Sequence, residues 1–136
     1  MTEAVFGIDV SQHRGTVEWA RVAASGLATF ASTRILDGDT PDARWQANAQ
    51  GARDHIALPI AHARVKPGDQ ATRAGRFLDM VATIHDLATV GLMVDVEDQG
   101  VTTADGMAFC RAVHELVGRW PLAYVPAWWL ARQPAG

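Results

Sequence analysis

Apolar and polar residues follow two rhythms along the chain. Five short apolar runs read as strands, at about 5 to 10 ("VFGIDV"), 28 to 34 ("ATFASTR"), 58 to 63 ("LPIAHA"), 92 to 96 ("LMVDV") and 121 to 125 ("PLAYV"). Helical spacing fills the gaps, over about 17 to 24, 42 to 54, 69 to 86 and 103 to 118. The third helix is the clearest. Ala71, Ala74, Phe77, Leu78, Val81 and Ile84 recur on one face, after a "KPGD" start in which Asp69 can accept from the free N–H groups of the first turn. The fourth opens on "TTAD", where Thr102 and Asp105 have the spacing of a capping box with the shorter acid. Strand, helix, strand, repeated along the chain, implies parallel strands joined by right-handed crossovers. The expected fold class is therefore α/β. No linker, low-complexity run or internal repeat divides it, so residues 1–136 read as one domain.

In such folds ligands meet the carboxyl ends of the strands. Asp9 ends the first strand, Arg34 and Asp37 are expected to follow the second, and His62 ends the third. Asp95 and Glu97 end the fourth, and Tyr124 the fifth. Asp95 and Glu97 stand two apart, so on a strand their side chains leave the same face. Their mutual repulsion raises the pKa of one of them, and the more enclosed member is the natural acid. Two carboxyls in unlike environments are the basic equipment for cleaving a glycosidic bond. A lone D-x-E recurs in many unrelated strands; Asp9 sharpens it by adding a third acid from another strand.

Composition narrows the classes. Hydrophobic residues make up 49% and charged residues 20% of the 136, the balance of an ordinary globular domain. A net charge of -3 leaves no basic footprint for nucleic acid. No stretch approaches the roughly 20 apolar residues of a membrane span. The start, "MTEAVFGIDVSQ", lacks the positive end and apolar core of a signal peptide, so a protein acting outside the cell would leave by another route. The single cysteine, Cys110, excludes an internal disulfide and shares a helical face with Phe109, Val113, Leu116 and Val117, which reads as a buried thiol. Trp19 and Trp45 read as core, and Trp128 and Trp129 as a sugar-stacking pair or a terminal helix against the sheet. His13, His55, His85 and His114 show no ligand spacing, so no metal and no cofactor are expected.

"FGIDVSQHRGTVEWARVAASGL" resembles the opening of glycoside hydrolase family 25, the lysozymes that cleave peptidoglycan between N-acetylmuramic acid and N-acetylglucosamine. "WQANAQGAR" resembles that family's second helix, "AH" at 61 to 62 its Y-H pair, "VDVED" its acidic strand and "PLAYVPAWW" its later strand with a tyrosine. The resemblance implies a (β/α) barrel of the family type and peptidoglycan glycan strands as substrate. It implies Glu97 as proton donor, Asp95 as the acid that orients the substrate's 2-acetamido group, and Asp9 facing it across the cleft. Asp37, His62, Tyr124 and Arg34 fall at substrate-binding positions. Participation of the acetamide, rather than a carboxylate nucleophile, suits adjacent acids that stabilise a positive oxazolinium ring.

The departures from the family shape the expectation. Its K-A-T-E-G reads "RILDG" here, with Arg34 keeping the charge and Asp37 an acid one methylene shorter. Its tyrosine before histidine is Ala61, which on this reading removes an aromatic wall beside the sugar. The family domain continues through three further strands, so the chain reads as a partial barrel of about five parallel strands and four to five helices, incomplete at its C-terminus. A further chain or segment would complete it. Two other functions compete: a catalytically impaired peptidoglycan-binding remnant, and a divalent-metal phosphohydrolase using Asp9, Asp95 and Glu97, which lacks a phosphate-cradling glycine loop.

Overall fold

In the computed structural model, which describes residues 4–134, the chain forms a partial barrel with helices packed on its outer face. The strands are β1 (Phe6–Val10), β2 (Ala28–Asp37), β3 (Thr40–Pro41), β4 (Leu58–Arg64), β5 (Gly91–Asp95) and β6 (Leu122–Tyr124). The helices are α1 (Trp19–Ala24), α2 (Trp45–His55), α3 (Gln70–Ala82), α4 (Thr103–Val117) and α5 (Ala127–Leu130). The strand order is β1-β2-β4-β5-β6, every neighbouring pair parallel, with β3 folded back antiparallel on β2. Five parallel strands and five helices match the expected class. Among the described residues no helix is long and apolar enough to cross a membrane.

Alternation sorts the side chains. Ala31, Thr33, Ala61, Ala63, Leu92 and Val94 point to the helix layer and are buried. There Phe77 and Leu78 of α3 meet Phe109 and Val113 of α4, the two phenyl rings tilted with centroids 5.9 Å apart. A smaller cluster, Val10, Trp19, Ala31, Ala52 and Ile56, seats α1 and α2. Both helix starts work as the sequence implied: Asp69 accepts from the Thr72 N–H at 3.1 Å, and Thr102 and Asp105 form the reciprocal capping box. Cys110 is buried, and burial pushes its thiol pKa up.

Three boundaries differ from expectation. β2 runs three residues past Arg34, because the guanidinium is neutralised in place and Ile35 and Leu36 continue the buried pattern. Arg34 thus lies inside the strand rather than after it, and Asp37 ends it. α2 begins at Trp45 instead of 42, since Asp42 turns its carboxylate inward. α3 stops at Ala82, where Thr83 hydroxyl donates to the Met80 carbonyl and the chain tightens into a turn.

Candidate active site

The inner face carries the chemistry. Register places Asp9 beside Ser32, Arg34 beside His62, Asp37 beside Arg64, Arg64 beside Asp95, and Asp95 beside Tyr124. Arg34 and Asp37 are three apart and on a regular strand would face opposite ways. An irregularity between Arg34 and Leu36 inserts Ile35 as an extra residue, so both reach the inner face, 3.6 Å apart from Nη1 to Oδ2. At the carboxyl ends of the strands lies a cleft of about 310 Å³ lined by Asp9, Ser11, His13, Arg34, His62, Arg64, Asp95 and Glu97. Three acids, Asp9 of β1, Asp95 at the end of β5 and Glu97 just beyond it, therefore converge at one end of the sheet.

Their environments differ. Asp95 is the most enclosed, and its pKa is pushed up to about 8, first by burial and then by the charge of Glu97. Asp95 Oδ1 is buried with no hydrogen-bond partner. Asp9 has 61% of its side chain exposed; partial burial and then Glu97 raise its pKa, while Arg34 pulls it down. His62 is driven down to about 4 by burial and then by Arg34, so its imidazole is neutral at pH 7. Its Nδ1 shares a 2.7 Å hydrogen bond with Ser32 Oγ, and its Nε2 stands 3.6 Å from Asp9 Oδ1, beyond hydrogen-bond range. A neutral imidazole there forms no ion pair with Asp9. Enclosure alone would make Asp95 the acid, whereas the family resemblance gives that role to Glu97.

Arg34 is anchored rather than free. Its Nε donates to Asp42 Oδ2 at 3.0 Å, and Asp42 also accepts from the N–H groups of Gln12 and Arg44, both at 2.9 Å. Gln12 Oε1 answers by accepting from Ala43 N–H at 2.8 Å. The network ties the loop carrying Ser11 and His13 to β2 and to the start of α2. Lys66 Nζ reaches Asp37 at 3.5 Å, and Arg64 pairs with Asp98. Asp37 thus meets the cleft only through Arg34 and does not line it. Tyr124 is 47% exposed on β6, beside Asp95 in the ladder but outside the lining. Ala61 corrects an expectation: it is fully buried toward the helices, so its small side chain removes nothing from the sugar side.

Sequence reasoning missed Asp42, Ser32, Arg64 and the pairing role of Asp98. Only Asp98 carried a signal, as the third acid of "VDVED". Among the described residues no three His, Cys, Asp or Glu side chains gather as a metal site.

No protein-family model and no curated protein matches the chain. Solved structures do. A family 25 glycoside hydrolase lysozyme from Aspergillus fumigatus superposes with a TM-score of 0.77 at 25% identity, over 93% of this chain and 67% of that one. A muramidase from Trichobolus zukalii gives 0.77 at 22% identity, over 94% and 68%. A lysozyme from Streptomyces coelicolor gives 0.74 at 24% identity, over 95% and 66%. The chain thus has the fold of the family its sequence resembles and spans about two thirds of these neighbours' length.

Proposed function

We propose that this chain carries a lysozyme-type glycoside hydrolase site, cleaving the β-1,4 bond between N-acetylmuramic acid and N-acetylglucosamine in peptidoglycan. The observation that carries the reading is the meeting of Asp95, Glu97 and Asp9 in one cleft, with Asp95 holding its proton up to about pH 8. A carboxyl pair that shares a proton near neutrality can protonate a leaving oxygen while presenting one negative charge.

Glu97 reaches from two residues past the end of β5 and is less enclosed than Asp95, which suits it to touch the glycosidic oxygen. Without substrate the shared proton rests on the enclosed Asp95. As the acetamide oxygen of N-acetylmuramic acid attacks its own C1, positive charge grows on the forming ring. That charge favours an ionised Asp95 and moves the proton to Glu97, which delivers it to the departing O4 of N-acetylglucosamine. Water then opens the oxazolinium, and Glu97 takes up the proton that water releases. Asp9 adds negative charge from β1, Arg34 and His62 line the cleft beside the acids, and Asp37 and Tyr124 stand just outside that lining, next to Arg34 and Asp95.

The test is direct. Purified chain is incubated with peptidoglycan, the fragments are reduced with borohydride, and the new ends are identified by mass spectrometry. Reduced muramic acid ends support the reading. Reduced glucosamine ends identify a glucosaminidase instead, and binding without release identifies a remnant that holds the wall without cleaving it.

A further inference from the structure

The third acid of "VDVED" is not needed for bond cleavage, yet it is held more firmly than either of the other two. The Asp98 main-chain carbonyl accepts from the buried Trp129 indole N–H at 3.0 Å, and its carboxylate pairs with Arg64 Nη2. Arg64 lines the cleft and sits directly across the ladder from Asp95. Its Nε is buried without a partner, so this cation is satisfied on one side only. A guanidinium placed so close to two carboxyls would ordinarily clamp one of them in a bidentate pair.

We propose that Asp98 is a positioning residue that captures the Arg64 guanidinium and holds it off the Asp95–Glu97 pair. The inference rests on the glycosidase reading for its purpose and on Arg64, Asp98 and Trp129 for its geometry. The other charges around the pair do not do the same work. Arg34 of β2 is committed to Asp42 and Asp37, and Lys66 beyond β4 lies 3.5 Å from Asp37 and 3.9 Å from Asp98. Asp9 of β1 is an acid, and His62 of β4 is neutral at pH 7. Tyr124 of β6 and the loop residue His13 complete the titratable groups nearby. Arg64 is thus the cation free to swing onto the acids once Asp98 lets go. Asp95 already feels it, since Arg64 is the influence that draws its pKa down against burial and Glu97.

Side-chain carboxyl ¹³C NMR titration reads this without any turnover. Asp98→Asn should lower the Asp95 midpoint by at least about one pH unit, the usual effect of a cation arriving beside a carboxylate. In an Arg64→Gln background the same change should move it less than half as far. Arg64→Gln alone, a second variant that leaves Asp98 in place, should raise the midpoint. An unmoved midpoint in Asp98→Asn, an equal shift in both backgrounds, or a fall in Arg64→Gln overturns the proposal. On peptidoglycan, Asp98→Asn should also shift the basic limb of kcat/KM to lower pH. If wild-type chain releases no fragments while the titrations behave as expected, the glycosidase reading fails and the positioning role stands.

Discussion

At the scale of single residues, Asp95 and Glu97 line one cleft and carry different roles in the proposed mechanism, so their isosteric amides should fail differently. Glu97→Gln removes the donated proton, and general acid catalysis contributes roughly 10²- to 10⁴-fold, so turnover of peptidoglycan should fall at least that far with folding intact. Asp95→Asn removes the negative charge beside the developing ring. A substrate with a very good leaving group needs little protonation, so it should restore rate to Glu97→Gln much more than to Asp95→Asn; equal recovery would show the roles to be wrong. The same residue leaves a mark on stability. Folded Asp95 keeps its proton to about 8, while an unfolded aspartate releases it near 3.8, so this stabilisation is complete in acid and lost as pH rises toward 8. His62 acts oppositely: its folded value near 4 lies below 6.5, so its contribution is present above 6.5 and lost as pH falls toward 4. Above 6.5 the decline belongs to Asp95, and thermal melting should show Tm falling from pH 6.5 to 8 in the wild type and flattening in Asp95→Asn. The acids were legible because each ends an apolar run. Asp42 was not, since in "LDGDTPD" nothing in the spacing separates the acid that buries from Asp37 and Asp39, which stay nearer the surface.

At the scale of elements, periodicity located the five parallel strands and helices α1 to α4 but neither the short β3 nor the bulge in β2, because an apolar Ile35 inserted before Leu36 leaves no mark in the spacing. The error at the end of β2 came from treating Arg34 as a stop signal, a rule that fails when a distant acid neutralises the charge. Packing between elements is equally invisible to local pattern. Gly51 sits inside α2, where alanine normally gains about 1 kcal/mol of helix propensity. A Cβ there would lie 2.0 Å from Trp19 Cδ1, within the buried indole that seats α1 against α2. Overpacking of this kind costs roughly 1–3 kcal/mol. Gly51→Ala should therefore destabilise the chain in urea unfolding despite the better helix former, and a rise in the midpoint would mean that α1 yields without cost.

At the scale of the whole molecule, the sheet described here has two edges, β1 and β6, and the exposed apolar residues gather near them. Val5, Phe6 and Leu27 flank β1, while Leu122, Val125, Trp128 and Leu130 lie on or beyond β6. Between the edges, at the amino end of the inner face, Phe30, Ile60, Met93 and Leu122 line an apolar basin of about 860 Å³. A closed barrel would fill that space with side chains and pair both edges. Each 100 Å² of apolar surface left in water forgoes about 2.5 kcal/mol, a large share of the 5–15 kcal/mol that holds a typical domain together. The helix layer offsets this only on the outer face, where α3 and α4 bury Phe77 and Phe109. The 136-residue chain alone should accordingly melt below about 70 °C, near or under the usual mesophile range. Calorimetry at low protein concentration measures this on the monomer, where edge pairing between copies cannot contribute. A cooperative transition above 70 °C under those conditions would mean that the outer core stabilises an open sheet as well as closure does.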